Sequence, residues 1–250
     1  MVQTPIKPEL NTQYPDSDGK PMADNTQQYQ WIVRIVENLK LLLEDQTAFV
    51  AGDLLWYPVQ VGKGETAPRQ APDAMVVLGR PDGHRGSYQQ WKEDGVAPQV
   101  VFEIISPSNS LQEMADKQAF YAQHGVLEMY FYDPDSLNFW GLVRESPDHN
   151  PRFIFPLDLP WASPMLGIQF KLFEDGLEVF YANGEPFKTF SQLNQERNEA
   201  KAERDEAKAE RDDARTQLNQ TAAELGQAET ERDRAFAKLR ELGIDPANLN

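Results

Sequence analysis

The chain of 250 residues contains no cysteine. Structural disulfides, thiolate metal sites and cysteine nucleophiles are therefore excluded. It has three histidines, His84, His124 and His149, without ligand spacing; they are expected to be solvated. No apolar run approaches the roughly 18 residues that a membrane span needs. The first residues, MVQTPIKPELNTQYPDSDGKPMADN, lack the basic and apolar blocks of a signal peptide, so a cytoplasmic location and no membrane partner are expected. No G-x-S-x-G, P-loop or GxGxxG occurs, which leaves esterase, nucleotide-binding and dinucleotide-binding readings without support. Basic charge is also scarce. The formal net charge is −16, and because residues 191–250 carry 14 acids and 10 bases, −12 of it lies on residues 1–190. Such a chain repels nucleic acid at long range.

What is present divides the chain into four stretches. Residues 1–26, rich in Pro, Asn, Asp and Gln, read as an irregular arm. Residues 27–190 alternate helical and strand patterns and have enough apolar content for a core. A helix is expected over 27–44, where Trp31, Ile35, Leu39 and Leu42 share a stripe and Glu37 faces solvent. Strands are expected in 49–61, 73–78, 100–105 and 129–132, with antiparallel pieces in 137–144, 152–155, 168–173 and 177–181. Ser110 with Glu113 forms a capping box that opens a helix, and Gly125 closes it. The expected fold class is mixed α/β with a partly antiparallel sheet. Residues 79–97 read as a long polar loop in which Arg80, His84, Arg85 and Lys92 make a local basic excess.

Residues 191–242 repeat every seven: ERNEAKA, ERDEAKA, ERDDART. They predict a long helix or coiled coil and a candidate dimerisation arm, followed by a short tail, 243–250. One set of seam positions runs Leu193, Ala200, Ala207, Ala214, Thr221, Ala228, Ala235 and Leu242. The companion set has Arg at positions 197, 204, 211 and 232, so the first half is a poor hydrophobic zipper, and Glu–Arg and Glu–Lys pairs are expected to support it as a solvated helix.

The chemistry centres on the run Val100-Val101-Phe102-Glu103-Ile104-Ile105. A carboxylate inside a buried strand is expensive unless paired or bound to a cation, so Glu103 is either a satisfied structural acid or part of a site. Asp73, after Pro72 at the head of another strand, supplies a second acid. Two acids on neighbouring strands suit an oxygen-seeking divalent cation such as Mg²⁺ or Mn²⁺. Asp53, within FVAGDLLWY, is a further candidate for the same cleft. Lys117 falls about 40–60° from Met114 and Tyr121 on the helical wheel, at the edge of the apolar face, where a lysine can bury its stem and aim its ammonium into a cleft. Tyr121 reads as core, and Ser106-Pro107 as the turn leaving the strand.

The order Pro72-Asp73, Glu103-x-Ile105-Ser106-Pro107-Ser108, Lys117, Tyr121, Gly125-Val126, Glu128, Tyr130 and Asp133-Pro134 resembles the Uma-type restriction endonuclease family, a branch of the PD-(D/E)XK nuclease superfamily. The resemblance covers roughly residues 30–185 and leaves out the arm and the coil. It implies a restriction-endonuclease-like core and Mg²⁺- or Mn²⁺-dependent hydrolysis of DNA phosphodiester bonds. It also implies that Asp73, Glu103 and the backbone carbonyl of Ile104 are metal ligands. Where the superfamily motif has its lysine this chain has Ile105, and Lys117 on the following helix fits that role. Two functions are thus expected in competition. One is a metal-dependent endonuclease that dimerises through the coil. The other is a catalytically inactive nuclease-fold scaffold that works through residues 191–242.

Overall fold

A computed structural model of the chain describes residues 13–19 and 21–243. The expectations for residues 1–12 and 244–250 lie outside the described residues. The chain divides into two compact units, Met1–Ser191 and Gln192–Asn250.

In chain order the first unit contains α1 (Thr26–Leu42), β1 (Ala48–Ala51), β2 (Trp56–Tyr57), β3 (Ala74–Leu78), β4 (Tyr88–Gln89), β5 (Val100–Ile104), α2 (Leu111–Gln123), β6 (Glu128–Asp133), β7 (Asn138–Val143), β8 (Arg152–Ile154), β9 (Trp161–Ala162), β10 (Gln169–Phe173) and β11 (Gly176–Phe180). Six strands form one sheet in the order β1-β3-β5-β6-β7-β8. Within it β5 and β6 run parallel and the other pairs antiparallel. Parallel neighbours cannot be joined by a tight turn, and α2 is the crossover that joins them.

Both faces of this sheet are covered. Val100, Phe102 and Ile104 point to the face packed by Ile32, Ile35 and Leu39 of α1. Val101 points the other way, into a cluster with Met75, Phe131 and the α2 residues Met114 and Tyr121. The two-residue side-chain period of a strand therefore puts Glu103 on the α2 side. Apart from Glu103 the run over 100–105 is apolar, because both of its faces are buried.

The helix ends follow their sequence signals. Asn25 caps α1 by accepting from the Gln28 N–H at 2.8 Å. Ser110 caps α2 by accepting from the Glu113 N–H at 3.1 Å. Only half of the expected capping box forms there, because the Glu113 carboxylate accepts from Asn109 Nδ2 at 3.3 Å instead. Gly125, at φ 99°, lets the chain turn left-handed after α2 at no steric cost.

Two expectations about irregular stretches change. Residues 79–97 contain β4 and a 3₁₀ turn, Gln90–Lys92. Among its described residues between 13 and 25 the arm that precedes α1 has no helix or strand, yet it is docked: Tyr14 is buried against Tyr57 and Trp91, and the Tyr57 hydroxyl donates to the Pro15 carbonyl at 2.7 Å.

The last helix, α3 (Phe190–Glu241), makes up most of the second unit; it is 52 residues long and none of them is buried. At 1.5 Å per residue it extends about 78 Å. Arg211–Asp212 and Arg232–Asp233 pair between adjacent residues rather than a turn apart.

Candidate functional site

The β3–β5 register pairs Ala74 with Phe102 and Met75 with Val101. One step further along the same antiparallel register, Asp73 stands opposite Glu103. Opposed residues of an antiparallel pair project to the same face with Cβ atoms about 4.5–5.5 Å apart. Two acids 30 positions apart in the chain are thereby brought side by side, beneath α2.

Each acid has defined partners. Glu103 is 2 % exposed. One of its oxygens accepts from Lys117 Nζ at 2.7 Å, and the other accepts from the Tyr121 hydroxyl in a short hydrogen bond. Asp73 is 7 % exposed, and its Oδ2 accepts from the backbone N–H of Ile104 at 2.6 Å. Burial, followed by the neighbouring Glu103, pushes the Asp73 carboxyl well above the usual carboxylate range; Lys117 and the Ile104 N–H offset this only in part. Burial works against the Lys117 ammonium, but Glu103 and Asp73 outweigh it and hold its pKa above the ordinary lysine value. The site is thus a carboxylate pair with one ammonium, short of positive charge.

Asp53 enters from the loop after β1. Its backbone is left-handed at φ 47°, and its N–H donates to the Pro72 carbonyl at 3.1 Å. Gly52 permits this path, because a Cβ there would lie 3.0 Å from Val36 Cγ2 and 3.2 Å from the Asp73 carbonyl oxygen. Burial and then Asp18 raise the Asp53 carboxyl to about 6, against the pull of Lys117.

Asp53, Asp73 and Lys117 open onto one cavity of about 380 Å³, which Asp18, Asp24 and Glu113 also line. Among the described residues Lys117 is the one cationic side chain in that lining. Among the described residues no cluster of three or more His, Asp or Glu is placed to enclose a metal ion. A cation here would draw on the acid pair and complete its shell from water or substrate.

The structure adds residues that the sequence did not single out. Gln28 Nε2 donates to the Ile104 carbonyl at 2.8 Å, so one of the two lone pairs of that expected ligand is engaged. Gln28 Oε1 accepts from the Asp24 N–H, and Asp24 Oδ2 accepts from Ser106 Oγ at 2.7 Å. The segment before α1 is thereby laced to the exit of β5. No spacing rule links residue 28 to residue 104, so the sequence carried no signal for it. Tyr121 is core, as its pattern indicated, but its hydroxyl also reaches Glu103 from a completely buried position.

The basic loop needs correction. Arg80 and Arg85 both bind the Glu93 carboxylate, at 3.0 and 2.8 Å, Arg80 also reaches Asp94, and the Arg85 guanidinium lies 4.0 Å over the Phe49 ring. These two arginines hold their own loop together. His124 is not solvated either: it is half-buried against Phe120 and Trp56, and burial lowers its pKa. Glu128, one of the residues that carry the resemblance, lies fully buried on the α1 side of the sheet. It accepts from Met165 N–H at 2.7 Å, from Tyr130 OH at 2.9 Å and from Ser163 Oγ, which is a structural arrangement.

Fold and site together define a mixed α/β protein with a buried acid pair and a lysine under its crossover helix. The family model described as Uma2, "Putative restriction endonuclease", matches residues 6–172, about two thirds of the sequence. The chain belongs to that family. A solved structure described as "a putative nuclease belonging to DUF820 from Anabaena variabilis ATCC 29413" is similar over 59 % of this chain and 77 % of its own, at 16 % identity and a TM-score of 0.41. Among curated proteins nothing matches the chain. No helix of the described residues is long and apolar enough to cross a membrane.

Proposed function

We propose that the chain is a Mg²⁺- or Mn²⁺-dependent endonuclease that hydrolyses DNA phosphodiester bonds. Residues 27–190 form its catalytic domain, and a second copy of the chain is its partner through residues 191–242. The observation that carries this reading is the acid pair, Asp73 opposite Glu103, with the Lys117 ammonium on Glu103.

The donor set fits a hard cation. It is all oxygen, and burial and the neighbouring Glu103 raise the Asp73 carboxyl well above the usual carboxylate range. Mg²⁺ needs no more than one or two carboxylates beside water and phosphate oxygens. Asp73 and Glu103 would hold the ion, with the remaining lone pair of the Ile104 carbonyl beside them. Bound there, the ion would neutralise charge on a phosphodiester and acidify water.

The chain's own groups do the rest. Tyr121 fixes the Glu103 carboxylate by its hydroxyl. Lys117 uses one of its three N–H donors on Glu103 and directs the others to phosphate oxygen or attacking water. Asp53, with a pKa of about 6, can take up a proton close to neutral pH.

The test is incubation of the full chain with linear and supercoiled DNA in Mn²⁺, alongside Asp73→Asn and Lys117→Met. Cleavage by the wild type and a loss of at least about a hundredfold in both variants are expected for removal of an electrostatic catalytic group. Wild-type inactivity, or cleavage unchanged in Asp73→Asn, overturns the reading.

One observation favours the scaffold reading instead. Among the described residues five acids and a single lysine line the cavity, and Arg80 and Arg85 are engaged by Glu93. A scaffold of this kind gains no thermal stability from Mn²⁺, and its partners bind α3.

A further inference from the structure

The charges of α3 are spaced wrongly for an isolated helix and correctly for a pair of helices. Between residues 196 and 215, five pairs of charged residues four apart carry the same sign: Arg197–Lys201, Glu199–Glu203, Arg204–Lys208, Glu206–Glu210 and Arg211–Arg215. Two carry opposite signs, Lys201–Asp205 and Lys208–Asp212, and both run base before acid, the weaker orientation. Like charges one turn apart destabilise a lone helix about as much as opposite charges support it. The supporting pairs expected from composition are therefore not what this spacing provides.

The same residues sort cleanly on a heptad. With Arg197, Arg204, Arg211, Leu218 and Leu225 at a, and Ala200, Ala207, Ala214, Thr221 and Ala228 three residues later at d, position g is Glu203 and Glu210 while position e is Lys208 and Arg215. The spacing repeats at Glu196 and Lys201. In parallel, in-register helices the g residue of one chain meets the e residue five positions on in its neighbour. Each of these meetings is acid against base. The helix also exposes Leu218 and Leu225 along the same seam. In an antiparallel pair the acidic g row of the first half would face Glu224 and Glu231, the g residues of the second half.

We propose that α3 pairs with α3 of a second copy as a parallel, in-register coiled coil, with Glu203 of each chain meeting Lys208 of the other and Glu210 meeting Arg215. Leu218 and Leu225 form its apolar section. The arginines at a lay their aliphatic stems over the d alanines and keep their heads in water. Such polar a residues lower stability but fix register. Both chains then enter the coil from the same end. This deepens the self-association reading and is independent of the nuclease reading.

The experiment uses the full chain. Sedimentation equilibrium should give twice the 28.5 kDa chain mass. Because the chain has no cysteine, Ala200→Cys reports arrangement without background. In the parallel coil two d-position Cα atoms lie within the 4.4–6.8 Å that a disulfide spans, and the variant crosslinks quantitatively under mild oxidation. In a fully overlapped antiparallel coil residue 200 lies opposite residue 231, about 46 Å from its counterpart, and no crosslink forms. Glu203→Lys with Glu210→Lys separates the coil from a lone helix. In a lone helix these changes relieve the like-charge pairs with Glu199 and Glu206, so helicity rises. In the parallel dimer they place lysine against base, and the dissociation constant rises on the order of a hundredfold for four pairs reversed in sign. Adding Lys208→Glu and Arg215→Glu to the same chain restores dimerisation. A monomeric wild type overturns self-association itself. A dimer that Ala200→Cys does not crosslink, or that the charge changes leave intact, overturns the parallel arrangement alone.

Discussion

Asp73→Asn should make the protein more stable while removing the cation site. The change keeps the side-chain shape, and an amide oxygen can still accept the Ile104 N–H now bonded to Oδ2 at 2.6 Å. What it removes is a buried charge facing Glu103. Two unit charges at about 5 Å, the Cβ spacing of opposed residues, would repel by ~3 kcal/mol at an effective dielectric constant of about 20, and Lys117 cancels part of this. A net gain of ~1–2 kcal/mol is expected, which for a domain of this size is about 3–6 °C in Tm. The pH dependence has a definite sign. The folded-state pKa of Asp73 is raised above its ordinary 3.8, so the folded protein holds this proton more tightly than the unfolded chain does. Wild-type stability from this group is therefore present at acid pH and is lost as pH rises through the raised value, while the Asn variant lacks that slope. Mn²⁺ separates the two proteins. At a hundredfold excess over its dissociation constant it stabilises the wild type by about 2.7 kcal/mol, and it leaves the variant unmoved. The assay is thermal unfolding by circular dichroism from pH 5 to 8, in chelator and in Mn²⁺. An Asn variant less stable than wild type in chelator would falsify the account of an uncompensated acid pair. Equal Mn²⁺ stabilisation of both proteins would remove Asp73 from the site.

Tyr121→Phe leaves Glu103 free to rotate and should weaken Mn²⁺ affinity by about 10–100-fold, as loss of a group that orients a ligand does; calorimetric titration checks this, and unchanged affinity counts against the role. Arg85→Ala loses the Glu93 pair and the Phe49 ring contact, so it should lower stability by about 1–2 kcal/mol without altering DNA affinity, measured by urea unfolding and fluorescence anisotropy. Reduced DNA affinity would return the basic loop to the substrate interface. Glu128→Gln turns an acceptor of three hydrogen bonds into a group that is half donor; about 1–3 kcal/mol of stability should go, with cleavage per folded molecule unchanged.

How much of this was legible in the sequence depended on how local the cause was. The helix over 26–42 announces itself through an apolar stripe, and the one over 111–123 through Ser110 at its start and Gly125 at its end, whereas the Asn25 cap was not singled out. Strand β5 shows as an apolar run because it is buried on both faces, and Glu103 stands out for the same reason. The opposition of Asp73 and Glu103 is not local. It depends on a register set across 30 residues, and only the family's motif order suggested it. Gln28 on the Ile104 carbonyl, Asp24 on Ser106 and the buried Asn38 that binds residue 188 were invisible, since each is a polar side chain satisfied by a distant segment. The loop over 79–97 misled because counting charges does not show pairing: Glu93 sits inside the same stretch and takes up both arginines. In α3 composition suggested supporting ion pairs, whereas the spacing of the same residues puts like charges a turn apart.

The acidity of the chain then bears on substrate as well as on metal. The cavity is lined by Asp18, Asp24, Asp53 and Glu113 beside Asp73, with Lys117 the one cation opposing them among the described residues. A phosphodiester brought among these groups meets repulsion that one ammonium, already held by Glu103, cannot offset. A divalent cation would change the sign of the local field as well as supply chemistry. DNA binding itself should therefore require the cation. In chelator the full chain should show no measurable affinity for a short duplex at about 0.15 M salt, where charges more than about 8 Å away are screened and the cavity's own field decides. Replacing the chelator with Ca²⁺ should create binding, measured by fluorescence anisotropy, and Asp73→Asn should abolish that gain. Equal binding in chelator and in Ca²⁺ would mean that DNA is held by a surface away from this cavity, and the acid pair would lose its place at the centre of substrate recognition.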